Sequence, residues 1–168
     1  KELLQFLGFK SDVDNFEYAE GDYEDIVTET ACDILTDDHE ALLEQTHGSV
    51  YFLKHFPMRT SPFWNMKIND ENPDIAEKID VILHGMETIG SAERSTNKEQ
   101  MRSMFTSISD GKYSQLLYDD FTEKRVNKEL EKFLEFDLFE RSGGGIGINR
   151  LIRAMKLSDL MDYEGSLE

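Results

Sequence analysis

The sequence has 168 residues but only one cysteine, three prolines and one tryptophan. The single Cys32 excludes an internal disulfide, which suits the reducing conditions of a cytoplasm. No stretch reaches the roughly 18 apolar residues that a membrane helix needs, and no signal-peptide pattern opens the chain. These absences predict a cytoplasmic protein with no membrane partner.

Basic residues are also few. The 18 Lys and Arg residues stand against 35 Asp and Glu, which gives a formal net charge of −17. Because acidic residues occur along the whole length, the surface repels phosphate backbones and disfavours a nucleic-acid partner such as tRNA. Hydrophobic residues make up 39% of the chain, which is enough for the core of one ordinary domain.

We therefore expect one domain over residues 1–168. The chain begins at Lys1 without a methionine and enters an apolar segment at once. This start favours a domain that is truncated on its N-terminal side.

Hydrophobic periodicity predicts an α+β fold in which helices flank an antiparallel sheet, because hairpins and consecutive strands are followed by helices. Helical spacing over residues 23–48 indicates a helix and a second short helix that ends at Gly48. The predicted strands are 3–9, 49–56, 62–68, a hairpin of "KIDVILHG" and "METIGSAER" about His84 and Gly85, and the glycine run at 143; further helices are predicted at 97–109, at 112–136 and from Asn149 to Leu160.

The segment "RSGGGIGINRL", residues 141–151, contains three consecutive glycines before Arg150. Glycine packs nothing in a strand, so such a run indicates close approach of a ligand or another segment. No Lys-Ser or Lys-Thr pair follows, which excludes a phosphate-binding P-loop, and no parallel β-α-β unit surrounds it. Two interpretations stay open: an ordinary loop before a helix, or a bare backbone surface beside a guanidinium that binds a nucleotide.

In the predicted hairpin, Asp80, Glu87 and Arg94 follow one another at intervals of seven residues. Two carboxylates brought together can hold Mg²⁺ on a nucleotide, and an arginine among small residues can form a bidentate pair with a substrate carboxylate. A hairpin that exposes its acids to water, with no ligand, is the alternative.

Three segments together resemble the class II aminoacyl-tRNA synthetases, in the aspartate and asparagine branch that includes the archaeal asparagine synthetase. "GGGIGINRL" is similar to the third motif of that family, a glycine-rich strand followed by an arginine-bearing helix. "HGMETIGSAER" resembles the segment in which these enzymes carry a glutamate, small residues and an arginine. "YFLKHFPMRTSPFWNMK" resembles their aromatic strand pair. The fold implied is the C-terminal part of the catalytic core.

The resemblance implies a role for each matching residue. Asp80 and Glu87 would handle Mg²⁺ and ATP, and Arg94, with Ser91 beside it, would bind the side-chain end of aspartate or asparagine. Arg94, Glu87 and Arg150 would be the catalytic residues. The residues implied in ATP binding are Phe6, Glu87, Gly143, Gly144, Gly145, Gly147 and Arg150. Lys10 stands where the family often has an aspartate for the amino group of the substrate.

The resemblance also implies ATP-dependent formation of an acyl adenylate, with Mg²⁺, in a homodimer built through residues upstream of Lys1. The acidic surface and the variant "GSAERS" favour activation of aspartate followed by attack of ammonia, which gives asparagine without tRNA. The alternatives are charging of tRNA with asparagine or aspartate, and a non-catalytic paralogue that binds a partner or an amino acid.

Overall fold

A computed structural model of the chain describes residues 17–161. Phe6, Lys10 and the strand expected at 3–9 lie outside that range. The described part contains, in chain order, β1 (Ala19–Asp22), α1 (Tyr23–Thr30), α2 (Asp37–His47), β2 (Val50–Pro57), β3 (Ile75–Leu83), β4 (Met86–Arg94), α3 (Lys98–Ser107), α4 (Lys112–Phe121), α5 (Glu123–Leu134), β5 (Arg141–Ile146) and α6 (Ile148–Leu157).

The strands form one five-stranded sheet in the order β1-β2-β3-β4-β5. The pairs β2–β3, β3–β4 and β4–β5 are antiparallel, as expected, whereas β1 pairs with β2 in parallel. The α+β prediction is confirmed, with a mixed sheet in place of a fully antiparallel one. The sequence of β1, Ala-Glu-Gly-Asp, contains no β-branched or aromatic residue, so no sequence pattern predicted this strand.

The hairpin predicted about His84 and Gly85 is present, as β3 and β4. Both turn residues adopt left-handed backbone conformations, with φ of 47° at His84 and 67° at Gly85. A Cβ added to Gly85 would lie 2.9 Å from the Cα of Ala41, so the turn needs glycine for two reasons, its conformation and the close approach of α2.

The strand expected at 62–68 is wrong. After β2 the chain makes a short 3₁₀ turn at Met58–Thr60, and only two isolated bridges follow, Met66 to Arg94 and Ile68 to Ala76. Pro62 cannot donate to a ladder, and the Trp64 ring packs instead against the helices through Phe105 and Phe133. Trp64, one of the aromatic residues that indicated a strand, therefore packs against the helices instead of pairing in the sheet.

The helix predictions hold, with shifts at the ends. The helical pattern over 23–48 is broken at Ala31, whose φ of 52° ends α1, and α2 starts anew with a capping box between Thr36 and His39. Helix α6 begins at Ile148 and ends at Leu157, close to the predicted Asn149 start but one turn short of Leu160. None of the helices in the described part is long and apolar enough to span a membrane.

Two separate hydrophobic clusters hold the described part together. One lies between the sheet and helices α1 and α2, and consists of Tyr23, Ile26, Leu43, Tyr51, Leu53, Phe56 and Ile82. The other joins the loop after β2 to helices α3 to α5, and consists of Trp64, Met101, Phe105, Ile108, Leu130 and Leu134. The sheet cluster borders the face on which the candidate site is built.

The helical cluster gives a first prediction. Met101 is fully buried, so Met101→Ala leaves a cavity and should lower the free energy of unfolding by about 2–5 kcal/mol. Leu116→Ala, at a side chain that is 62% exposed, should change it by less than about 0.5 kcal/mol. Urea denaturation measures both, and equal losses would contradict the packing.

Candidate functional site

The site is built on one face of β3, β4 and β5. Two rows of directly paired residues cross these strands, Asp80, Gly90 and Gly145 in one and Lys78, Ala92 and Gly143 in the other. Side chains of paired residues share a face of the sheet, so four glycine or alanine positions lie beside a lysine and an aspartate. We call Gly90, Ala92, Gly143 and Gly145 the small-residue strip.

Asp80 and Glu87, the acid pair, meet above this strip. If Gly90 carried a Cβ, that atom would lie 3.0 Å from Oε1 of Glu87 and 3.4 Å from Oδ1 of Asp80. The two carboxylate oxygens therefore approach the same point, which the missing side chain leaves open. Asp80 is only 4% exposed, its Oδ2 accepts a hydrogen bond from Nζ of Lys78, and its Oδ1 is buried without a hydrogen-bond partner.

Burial dominates the ionisation of the acids in this region. The pKa of Asp80 is raised because burial penalises its charge and Glu87 repels it, although the Lys78 ammonium acts in the opposite direction. Burial likewise raises the pKa of Glu40 above its ordinary 4.5, with further repulsion from Glu87 and Asp80. Three carboxylates thus crowd one region, and a bound cation would relieve their repulsion.

The chemistry of the acid pair fits a magnesium ion that is bound together with a nucleotide. Mg²⁺ prefers oxygen ligands and usually takes one or two carboxylates plus phosphate oxygens and water. The unpartnered Oδ1 of Asp80 and the nearby Oε1 of Glu87 are such ligands. Among residues 17–161, no three His, Cys, Asp or Glu side chains form a metal site by themselves. The pair alone would therefore need phosphates and water to complete the coordination.

Arg94 lies at the end of β4, and its guanidinium is already fixed. Its Nη1 donates to Oδ1 of Asn65 and its Nη2 to the carbonyl oxygen of Gly143, each at 2.9 Å. A Cβ on Gly143 would lie 3.3 Å from Nε of Arg94, so this glycine gives the guanidinium its room. The arginine is thus oriented before any substrate arrives.

Arg150 lies on the first turn of α6 and contacts the backbone of Glu87. Its Nη1 donates to the carbonyl oxygen of Glu87 at 2.7 Å. Its aliphatic stem lies over Gly147, where an added Cβ would lie 3.2 Å from Cδ of the arginine. The bare backbone of Gly147 therefore supports the arginine itself.

Ser91 and Gly144 lie elsewhere than expected. Side chains alternate along β4, so Ser91 projects from the face opposite Arg94, and its hydroxyl donates to the carbonyl oxygen of Ile79. A Cβ on Gly144 would lie 2.6 Å from the carbonyl oxygen of Gly90 and 2.8 Å from Cβ of Ser91. Ser91 is therefore separated by the sheet from the substrate expected at Arg94, and Gly144 permits close pairing of β4 and β5.

The acid pair opens into a cleft of about 440 Å³ between the sheet and the segments around α1 and α2. Its lining mixes Glu40, Lys78, Asp80 and Glu87 with apolar side chains such as Leu53, Phe56 and Met66. Arg94 borders a separate cavity of about 120 Å³. The structure thus brings the Asp80 and Glu87 side chains together. Arg150 is connected to them by its hydrogen bond to the Glu87 carbonyl oxygen, and Arg94 lies in a separate cavity.

Sequence reasoning missed the residues that hold this hairpin. Oε2 of Glu40 accepts a hydrogen bond from the backbone N–H of Glu87 at 2.8 Å. On the other side, Nη1 of Arg153 donates to the carbonyl oxygen of His84 at 3.1 Å, and the N–H of Gly147 donates to the carbonyl oxygen of Thr88 at 2.9 Å. Glu40 lies in the acidic stretch at the start of α2. Acidic residues at a helix start are usually exposed to solvent, so no sequence signal indicated its contact with Glu87.

Comparison with known proteins places the chain in a family. The model of the family described as "tRNA synthetases class II (D, K and N)" matches residues 6–161. The chain belongs to this family. Two curated relatives are the aspartate–tRNA(Asp) ligases of Pyrococcus abyssi and Thermococcus kodakarensis, each 25% identical over 118 residues, which cover 68% of this chain. The chain spans only 23% of the length of either relative.

Solved structures of this family share the fold. The asparaginyl-tRNA synthetase of Entamoeba histolytica in complex with asparaginyl-adenylate matches 94% of this chain and 36% of its own, with a TM-score of 0.68 at 14% identity. The asparaginyl-tRNA synthetase of Pyrococcus horikoshii with asparaginyl-adenylate matches 89% of this chain and 35% of its own, with a TM-score of 0.60 at 16% identity. At these identities the matches show that the chain shares the fold of these structures.

The glycine run offers a matched pair of variants. Gly144→Ala should lower the free energy of unfolding by about 1–3 kcal/mol, because its Cβ would overlap the neighbouring strand. Gly145→Ala should change it by less than about 0.5 kcal/mol, since a Cβ there meets no atom within 4 Å. Chemical denaturation compares the two, and the reverse order would refute the strand register.

Proposed function

We propose that this chain is the C-terminal part of a catalytic core that activates aspartate or asparagine with ATP, as an acyl adenylate. The observation that carries the proposal is the convergence of the Asp80 and Glu87 carboxylates above Gly90, which pairs with Gly145, where an added Cβ would meet no atom within 4 Å. Membership of the class II synthetase family supports an ATP-dependent ligase. The adenylates named in the E. histolytica and P. horikoshii structures support an amino acid of this branch as substrate.

In this reaction a carboxylate oxygen of the amino acid attacks the α-phosphorus of ATP. A new O–P bond forms, the bond from the α-phosphorus to the bridging oxygen breaks, and pyrophosphate leaves. The enzyme needs no nucleophile of its own, so catalysis consists of positioning and electrostatic stabilisation. This agrees with a site made of arginines, carboxylates and bare backbone.

Each residue then has a part that its contacts support. Arg94, held by Asn65 and Gly143, would orient the side-chain end of the amino acid. The acid pair would hold the magnesium ion, which offsets negative charge on the phosphates when it is bound. Arg150 is exposed and bonded to the backbone of Glu87, and would contact the nucleotide. Gly145, which carries no side chain, would let the base of the nucleotide approach the sheet closely.

Two fates of the adenylate are possible, and the comparisons favour the one that the sequence ranked second. Both curated relatives are aspartate–tRNA ligases, so we propose transfer of the amino acid to tRNA as the function of the complete protein. Amidation by ammonia, which would give asparagine without tRNA, is the second candidate. The observation that favours it is the net charge of −17, which repels a polyanion.

One experiment tests both fates. The complete protein is incubated with ATP, Mg²⁺, aspartate and ammonium, with and without tRNA, and asparagine, AMP and aminoacyl-tRNA are measured by mass spectrometry. We expect AMP to accumulate with aminoacyl-tRNA only when tRNA is present. Asparagine formed in proportion to AMP without tRNA would establish the second candidate, and absence of any adenylate chemistry would favour the non-catalytic paralogue.

The role of Arg94 gives a sharper prediction. Arg94→Ala should lower amino-acid-dependent pyrophosphate exchange about 100-fold, because a bidentate charged pair contributes about 3 kcal/mol. Binding of ATP, measured by calorimetry, should stay within about twofold. Arg125→Ala is the matched control, since this exposed arginine contacts Glu129 and the Phe121 ring and lines neither the cleft nor the cavity at Arg94. Equal loss of exchange and of ATP binding would remove Arg94 from the amino-acid site.

A further inference from the structure

Lys78 is a charged residue of the cleft to which the motifs assign no role. It lies on β3 two positions before Asp80, so its side chain shares the face of the acid pair. Its ammonium contacts Oδ2 of Asp80 and lies 3.6 Å from the centre of the Phe56 ring. A carboxylate on one side and an aromatic face on the other hold the positive charge in one place.

This ion pair differs from the ordinary surface pairs of the chain. The side chain of Lys78 is 22% exposed and that of Asp80 is 6% exposed. Lys67, in comparison, bridges Glu93 and Asp70, whose side chains are 36% and 83% exposed. Little water screens the Lys78 ammonium from the acid pair, so its charge acts strongly there.

The two oxygens of Asp80 are consequently unequal. Oδ2 is occupied by Lys78, whereas Oδ1 is buried without a partner and faces the point above Gly90 that Glu87 also approaches. One position beside Asp80 thus holds a cation supplied by the chain, and a second position offers ligands to a cation from solution. The two cations would lie on the same carboxylate and repel each other.

We propose that Lys78 is the built-in cation of the acid pair and sets its affinity for divalent metal ions. The ammonium neutralises one of the two charges, so a free divalent ion binds the pair weakly. Phosphates restore the missing negative charge, so the ion binds well only together with a nucleotide. The inference rests on the metal role of the acid pair in the proposed function, and adds to it a residue that tunes this role.

The test measures Mn²⁺, a spectroscopic substitute for Mg²⁺, bound to the 168-residue chain without nucleotide or amino acid. Free Mn²⁺ is followed by electron paramagnetic resonance during titration. Lys78→Met should tighten one Mn²⁺ site about tenfold, because the repelling ammonium is gone. Lys78→Gln, which keeps a hydrogen-bond donor near Asp80 and so protects the fold, should tighten it to a similar degree.

Two controls make the result specific. Lys67→Met removes the same charge from a pair outside the cleft, and should leave Mn²⁺ affinity within about twofold. Adding Asp80→Asn to Lys78→Met should abolish the gain. Thermal unfolding of every variant verifies the fold.

The inference is overturned if both Lys78 variants bind Mn²⁺ like the native chain, if Lys67→Met tightens binding equally, or if the gain survives Asp80→Asn. These outcomes are independent of pyrophosphate exchange. A failed exchange assay with the expected Mn²⁺ result would therefore refute the adenylation proposal and leave a cation site tuned by Lys78.

Discussion

The geometry of the candidate site depends on how the backbone of Glu87 is held. Its N–H donates to Glu40 on α2 and its C=O accepts from Arg150 on α6, so side chains from two helices bind the backbone of one residue. The β3–β4 register is irregular at this point, which leaves such groups available to partners outside the ladder. Because these two hydrogen bonds fix the Glu87 backbone, the position of the Glu87 side chain relative to Asp80 depends on both helices.

The site also requires space beside the backbone of β4, β5 and the start of α6. Each small residue leaves that space for a different group. Gly90 leaves room above it for the two carboxylates, and Gly143 leaves room for Arg94. Gly144 allows the backbones of β4 and β5 to come together, and Gly147 lies under the stem of Arg150. A run of glycines that resembles one nucleotide-binding feature thus meets several separate steric demands. At Gly145, in contrast, an added Cβ would meet no atom within 4 Å.

Much of this architecture could be predicted from the sequence, because its strongest signals are local. The hairpin has alternating apolar residues around a His-Gly turn, and the helices after it have regular apolar spacing, so both are predicted from local pattern. The association of Asp80 with Glu87 is implied only by the family resemblance, and the structure brings the two side chains together. Strand β1 and Glu40 were missed because they are defined by partners distant in sequence, Val50–Pro57 for the strand and Glu87 for the acid. The strand expected at 62–68 was wrong for the same reason, since its aromatic residues find their partners in the helices. Ser91 was misplaced because a motif gives the order of residues but not the face of the sheet.

The separation of the core into two clusters has a consequence for optical spectroscopy. The chain has a single tryptophan, Trp64, which is buried in the helical cluster against Phe105 and Phe133. The sheet cluster, which lines part of the cleft, contains two tyrosines and one phenylalanine but no tryptophan. Intrinsic fluorescence excited at the red edge of the tryptophan band therefore reports on the helical layer alone. Loosening of the sheet around the acid pair would change that signal less than it changes probes of tyrosine or of the backbone.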